Sequence, residues 1–596
     1  MKKHFNIIEE FVNRTDWRVK ENANISYSIS SLILHLSGYC IADYLLEKVY
    51  GDLQIADMHR RGEVHIHDLN LGLTVYCSGW STIALLEKGI RNIPGTVTSA
   101  SAKHFRTAVN HIVNFVGCVS NEAAGAQALN SIDTYLAGLI YKDYQEYLDY
   151  TNDDKELSEK LIRRDVKQGI QELVFHLNFP TRWGNQPPFT NVTLDLLVPD
   201  DLKDSPVWTG DKYDPSVTYK EIQNFVDMFN YYFFEVLTEG DAEGKGFTFP
   251  VVTINYTDNL FEKLDPDVKD MMLKSIAKFG SCYIQNCANG VIGGNKRIRP
   301  ESARAMCCRL HLDLRELQNK VGGIFGAGDY TGSIGVVTIS LPYIAYCTKD
   351  VKSFFGRLKA VMEEAQKSLL RKREVCVNNL ELGLLPFFRE YLPTKFKTHF
   401  NTIGYVGLHE ALLNLGIENG IMSEQGHRLA KDILVFMREY IHEMQERDKV
   451  LCNLEATPAE GASFRLARLA KRQFPDIITS GTDQSPYFTN SCHPPAQHQG
   501  DIAFLVNHQE DLQCQHTGGT VVHFYIDGEL PIESAETLIR IICQTKIPYF
   551  TLTTVYSWCP VHGYIPGRKT FCPYPHTEEE LQKYGIRIED YVAQIK

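Results

Sequence analysis

The apolar and polar positions divide the chain into long helices and short strands. Phe105, Val109, Ile112, Val113 and Val116 recur at i, i+4, i+7, i+8 and i+11, which predicts one buried face of a helix. Ile433, Phe436, Met437, Tyr440, Ile441 and Met444 form a second such stripe, and both read as core packing. Between such stretches lie β-rich runs bounded by Gly, Pro, Asn or Asp: Phe249 to Asn255, Gly335 to Pro342, and Tyr549 to Val555. Apolar strands alternating with long helices predict an α/β domain whose strands are covered on both faces. The polar stretches Asp149 to Glu159 and Pro199 to Pro215 are expected to be surface loops. No Gly/Ser linker, low-complexity tract or internal repeat divides the chain. Near Cys559 the texture changes to short Cys/His/Pro/Gly spacings, so two regions are expected, 1–555 and 556–596.

Composition narrows the class. The 596 residues are 44% hydrophobic and 22% charged, which excludes a disordered or collagenous chain and allows one large core with appendages. The formal net charge of −12 argues against a nonspecific nucleic-acid coat or a polybasic membrane binder. The first ten residues turn acidic before an apolar h-region forms, and a cytoplasmic protein is expected. Fifteen cysteines, an odd number scattered over a long chain, do not form a secreted disulfide framework. Thiol chemistry or metal binding must account for those that matter.

Four segments carry chemistry. Met306-Cys307-Cys308-Arg309 lies between predicted strands, where a loop could project one thiol into a cleft; a buried thiol acting as a small hydrophobe is the plainer reading. His65-Ile66-His67-Asp68, followed by Cys77, places two rings on one strand face, which suits a metal or a structural pair beside an acid. Glu455-Ala456-Thr457-Pro458-Ala459-Glu460-Gly461-Ala462-Ser463 is a small-residue loop opening a helix. Its free N–H groups and helix dipole suit phosphate, and an ordinary N-cap on Ser463 or Thr457 is the alternative. Cys559, His562, Cys572 and His576 form two short knuckles offering four N/S ligands for a tetrahedral structural zinc.

Taken in chain order with Gln186-Pro187-Pro188-Phe189-Thr190-Asn191, Gly335-Val336-Val337-Thr338, Asn490-Ser491-Cys492-His493 and Gly518-Gly519-Thr520, these segments resemble the anaerobic, class III ribonucleoside-triphosphate reductases. The resemblance runs from about Asn22 to His576. It implies a ten-stranded α/β barrel of two antiparallel five-stranded halves, with an internal finger loop carrying the thiyl-radical cysteine, Cys308, beside Met306. Cys77 is then the second catalytic thiol, and Thr457, Pro458, Ala459, Glu460, Gly461, Ala462 and Ser463 hold the substrate phosphates. The implied reaction reduces ribonucleoside triphosphates to deoxyribonucleoside triphosphates. The implied partners are nucleotide effectors, a radical-SAM [4Fe-4S] activase and a second copy of the chain, with neither nucleic acid nor membrane.

The sequence departs from that pattern in several places. Ser333 stands where formate-using members have an asparagine, and Leu310 stands where aerobic relatives have a glutamate, so formate and a dithiol partner both remain open as reductant. No N-terminal ATP-cone is expected. No Arg-Val-x-Gly-Tyr motif follows His576, which leads to the expectation that the glycyl radical is supplied by a separate polypeptide or by a segment removed from this chain. The knuckles carry His562 and Pro575-His576 in place of paired Cys-x2-Cys, so the zinc site is expected to be incomplete or altered. A catalytically inactive nucleotide-binding paralogue and a different glycyl-radical enzyme are the alternative readings.

Overall fold

In the computed structural model, residues 2–13, 26–300, 303–305, 311–313, 327–456, 459–559, 561–569 and 572–583 are described. Met306, Cys307, Cys308, Arg309, Leu310, Thr457 and Pro458 lie outside the described residues.

The strands with apolar stripes join one twelve-stranded sheet. In chain order they are β1 (Val64–Ile66), β2 (Cys77–Trp80), β3 (Gln127–Leu129), β4 (Thr190–Leu194), β5 (Val251–Tyr256) and β6 (Cys282–Asn286). They continue as β7 (Gly332–Ser340), β8 (His399–Val406), β9 (Cys452–Glu455), β10 (Val522–Asp527), β11 (Tyr549–Cys559) and β12 (Gly563–Pro566). Ten of them follow the path β9-β8-β7-β2-β3-β4-β5-β6-β11-β10, with β1 pairing β7 and β12 pairing β11 off the path. Neighbours are parallel except at the β7/β2 and β6/β11 junctions, so β2 to β6 run one way and the other five run the opposite way. The two ends of the path also meet: the Ala456 N–H donates to the Gly519 carbonyl at 2.7 Å and the Gly518 N–H to the Leu454 carbonyl at 2.8 Å.

The long helices cover one face of this sheet. They include α1 (Ile29–Tyr44), α2 (Phe105–Val119), α3 (Ile132–Tyr150), α4 (Lys155–Leu177), α5 (Gln223–Glu239), α6 (Pro266–Phe279), α7 (Val351–Glu381), α8 (Glu424–Asp448) and α9 (Glu460–Gln473). The predicted stripe of α2 is buried, and Ile433, Met437, Tyr440, Ile441 and Met444 of α8 pack with Ile403 and Leu454 of the sheet. Asp350 caps α7 through the Ser353 N–H, and Asp265 followed by Pro266 starts α6. Gly407 leaves β8 at φ +75°, and a Cβ there would lie 2.4 Å from Pro342 Cγ, so only glycine fits the turn.

Two sequence expectations change. Asp149 to Glu159 is mostly helix, because α3 runs to Tyr150 and Asp154 already caps α4. Polar residues there are helix ends rather than a loop. Pro199 to Pro215 contains the strand Pro206–Trp208, which pairs with Tyr213–Thr218. Strand β11 runs unbroken across residue 555, so the Cys/His region is a continuation of the sheet. Among the described residues one helical stretch, Ile29–Val49, is long and apolar enough to cross a membrane. It lies over the 69–71 turn, where Gly38 meets Asn70.

Candidate active site and metal centre

Strand alternation decides what faces the side of the sheet away from the helices. Val192 and Leu194, Val252 and Ile254, and Cys452 and Leu454 join the helix-side cores. Their alternate neighbours, Asn191 and Thr193, Thr253 and Asn255, and Asn453 and Glu455, point the opposite way and are buried. That face is polar.

Cys77 lies on the same face, fully buried at the start of β2. It packs with Ala126, Ala128 and Phe400. Its cross-strand partner is Ser333, where β7 carries a bulge before Gly335. The Ser333 hydroxyl lies 2.8 Å from Thr402 Oγ1 and donates to the Gly335 carbonyl at 3.2 Å. Thr402 is in register with Asn453 on β9. Cys77, Ser333, Thr402 and Asn453 are therefore linked across four strands, with the Ser333 to Thr402 step running diagonally, since the register sets Ser333 opposite Phe400.

Burial pushes the Cys77 thiol far up, and the Glu455 carboxylate adds to the shift, while a Ser333 backbone hydrogen bond and the Lys372 ammonium pull it partly back. At neutral pH the thiol therefore keeps its proton. Lys372, on α7 behind β7, is itself buried and shifted down by desolvation, with Cys376, Asp68 and Cys77 opposing.

Two amides and a hydroxyl on this face have side-chain atoms with no hydrogen-bond partner among the described residues: both side-chain atoms of Asn453, Asn191 Oδ1 and Thr193 Oγ1. Buried polar groups are normally paired, so such a set on one wall marks a place built for a polar ligand. Sequence reasoning quoted Asn191 and Glu455 within motifs without placing them on this wall, and it missed Asn453. The only signal for Asn453 is a period-2 polar position inside an apolar strand.

The loop predicted to carry the thiyl-radical cysteine is flanked by Ala303–Ala305 paired antiparallel with His311–Asp313, Ala305 opposite His311. Cys308 is the midpoint of the segment between those strands, and both Met306 and Cys308 lie outside the described residues.

The phosphate-type loop ends at helix α9, whose N-cap is Ala459 with no side-chain cap. This corrects the alternative of a cap on Ser463. The Ser463 hydroxyl donates to the Phe488 carbonyl at 2.5 Å and accepts from the Phe488 N–H at 3.0 Å, and the Ser463 N–H already bonds Ala459. Ser463 is thus a structural tie and offers no group to an anion. The N–H groups of Glu460, Gly461 and Ala462, in the first turn, have no intrahelical acceptor.

The His-x-His pair is structural. The His65 and His67 rings meet edge to face at 4.7 Å, and His67 Nε2 lies 2.7 Å from Thr338 Oγ1. Burial holds His67 down to about 4, and His65 well below its ordinary value with His67, His59 and Arg465 adding to the shift.

Cys559, His562, Cys572 and His576 converge, with all four ligand atoms within 4.8 Å of one another. Cys559 Sγ lies 3.0 Å from His576 Nε2 and 3.7 Å from His562 Nδ1, and Cys572 Sγ lies 3.4 Å from His562 Nδ1. A tetrahedral zinc with S and N ligands sets its donors about 3.5 Å apart, so these side chains fit one. The His562 N–H also donates to Cys559 Sγ at 3.5 Å, which neutralises part of a thiolate charge.

Comparison with known proteins follows this geometry. A family model for anaerobic ribonucleoside-triphosphate reductase matches residues 21–596. The chain belongs to that family. It is an oxidoreductase family of deoxyribonucleotide synthesis, and its members use a glycyl radical. The anaerobic ribonucleoside-triphosphate reductase of Haemophilus influenzae is 21% identical over 92% of this chain and 76% of its own length. That of Enterobacteria phage T4 is 21% identical over 82% of this chain and 78% of its own length. Among solved structures, the anaerobic ribonucleotide reductase of Thermotoga maritima in complex with dATP and CTP has a TM-score of 0.73 at 20% identity. It covers 96% of this chain and 91% of that one, a likeness of fold.

Proposed function

We propose that this chain is the catalytic subunit of a ribonucleoside-triphosphate reductase, with Cys77 and Cys308 as its two working thiols. The observation that carries the reading is Cys77, fully buried and protonated, at one end of a linked polar set that includes unpartnered amide groups. The barrel reading belongs with it: ten path strands, five in each direction, close on each other through the Leu454–Gly518 and Ala456–Gly519 bonds.

In this mechanism a thiyl radical on Cys308 takes the hydrogen from ribose C3′, leaving a carbon radical and the Cys308 thiol. Cys77 gives its proton to the departing 2′-hydroxyl, which leaves as water. A reductant, formate or a dithiol partner, supplies two electrons and the hydrogen that C2′ gains, Cys77 takes up a proton to regain its thiol, and Cys308 returns its hydrogen to C3′. A glycyl radical, when present, supplies the unpaired electron; the sequence carries no Arg-Val-x-Gly-Tyr motif, and no residue of this chain is assigned to hold it. The buried wall keeps water from the carbon radical. The N–H groups of Glu460, Gly461 and Ala462, at the positive end of α9, bind the triphosphate, with Thr457 and Pro458 completing the loop. Cys559, His562, Cys572 and His576 hold a structural zinc at the β11–β12 hairpin. The working form is a cytoplasmic homodimer whose partners are a radical-SAM activase and, if separate, the polypeptide with the radical glycine.

The test is anaerobic turnover of the chain supplied with a glycyl-radical polypeptide and its activase. Deoxynucleotide formation with a glycyl electron-spin signal supports the reading. A signal without product, while ribonucleoside triphosphates still bind, leaves the non-catalytic nucleotide-binding reading in its place.

A further inference from the structure

Asn453 sits in the middle of β9, between Cys452 and Leu454, whose side chains enter the helix-side core. Its own side chain points to the Cys77 face and is fully buried. Neither amide atom has a hydrogen-bond partner. Several buried amides of this fold are satisfied, although Asn130, like Asn453, leaves both amide atoms without a partner among the described residues. Asn401 pairs with Gln366 and Arg373, Asn255 donates to Asp195, and Asn286 donates to the Thr545 and Ile547 carbonyls. An unpaired buried amide costs stability without return, so its place on this particular wall calls for a physical reason.

Its position supplies one. Asn453 is in register with Thr402, whose hydroxyl meets Ser333, the cross-strand partner of Cys77. It also lies four residues before the phosphate-type loop begins, on the strand that leads into it. A ligand with phosphates on that loop and a reacting carbon at Cys77 passes along this wall. We infer that Asn453 holds a ribose hydroxyl of the substrate, its carboxamide donating to and accepting from the 2′- or 3′-hydroxyl, and so distinguishes ribonucleotides from deoxy analogues. The inference rests on the nucleotide-reductase reading above. The match is chemical: a hydroxyl both donates and accepts, and the amide offers one group of each kind. A site built to bond a hydroxyl rejects the analogue that lacks it, because the buried amide is then left unpaired.

The experiment is titration calorimetry of the full chain with a ribonucleoside triphosphate and its 2′-deoxy and 3′-deoxy analogues. The variants are Asn453→Ala and Asn453→Ser. Wild type should bind the ribonucleotide at least about tenfold more tightly than one of the two analogues. Asn453→Ala should bring that ratio to within about twofold of one, and Asn453→Ser should fall between. Because the amide has no partner to lose, both variants should melt within about 2 °C of wild type. An unchanged ratio in both variants overturns the inference and leaves the reductase reading standing. So does a marked drop in melting temperature for both, which assigns the amide a structural role. Failure of wild type to bind any ribonucleoside triphosphate overturns the inference together with the reading it rests on.

Discussion

Cys77 stands directly opposite Ser333 across the antiparallel junction where two sets of oppositely directed strands meet. A parallel strand cannot join the β2–β6 set to the β7–β9 set, so this junction is forced by the topology, and it places a thiol and a hydroxyl side by side in a buried wall. The bulge between Ser333 and Gly335 turns the serine toward Thr402. The position read from sequence as the asparagine of formate-using relatives is here a short, doubly bonded side chain.

Cys77→Ala should lower kcat by about 10²-fold or more while KM stays within about threefold, because the thiol acts as a proton donor and contributes little to ground-state binding. Steady-state kinetics of the activated enzyme check it, and a rise in KM with unchanged kcat would remove Cys77 from the chemistry.

Gly332→Ala should destabilise the protein by about 3 kcal/mol and abolish turnover. A Cβ at Gly332 would lie 2.2 Å from the Cys77 carbonyl and 2.7 Å from the His399 ring. His399 is fully buried, with Nε2 3.0 Å from Ser78 Oγ, and a backbone carbonyl has nowhere to go. Urea unfolding monitored by circular dichroism reads the loss, and a variant as stable as wild type would show that β2 and β7 separate more easily than this packing implies.

How much of this was legible in the chain is a matter of range. The stripes at Phe105 to Val116 and Ile433 to Met444 repeat within one element, and both emerged as helices at those places. The run Tyr549 to Val555 was seen, but its extension to Cys559 was not, because Ser557 and Trp558 read as the start of the Cys/His region. The four metal-type ligands were readable because their spacing is local. The wall was not: Asn453 gains meaning only from its register with Thr402 on another strand, and Cys77 from its place opposite Ser333, relationships between residues far apart in the chain. Ser463 shows the converse error. Its type suited a cap or an anion, and only the contact with Phe488 reveals that its hydroxyl is already engaged.

His516 makes the fold acid-sensitive. Its Nδ1 lies 3.0 Å from the Gln513 carbonyl, which can only accept, so Nδ1 carries the proton and Nε2 accepts from the Tyr405 hydroxyl at 2.8 Å. Burial holds the ring down to about 4, below the ordinary 6.5 it regains on unfolding. A depressed pKa contributes stability that is present above pH 6.5 and is lost as pH falls toward 4, because the unfolded chain binds the extra proton. The urea midpoint of wild type should therefore exceed that of His516→Gln at pH 7.5, and the gap should close between pH 6.5 and 4. A gap independent of pH would mean that the ring titrates in the fold as it does in the unfolded chain.

The metal centre should act on the hairpin rather than on the whole sheet. Cys559 ends β11 and pairs with Gly563 on β12, while Tyr549 and Phe550, at the other end of β11, pair with β6. A metal bound by Cys559, His562, Cys572 and His576 therefore ties the hairpin to the segment at 572–576 without touching the polar wall. The purified chain should hold about one zinc, and Cys559→Ser or His576→Ala should lower that stoichiometry several-fold, measured by elemental analysis. Hydrogen exchange after chelation should rise in residues 556–576 and stay unchanged in β2, β7 and β9. Equal deprotection of those central strands would show that the metal supports the whole fold, and full metal retention by both variants would remove these side chains as its ligands.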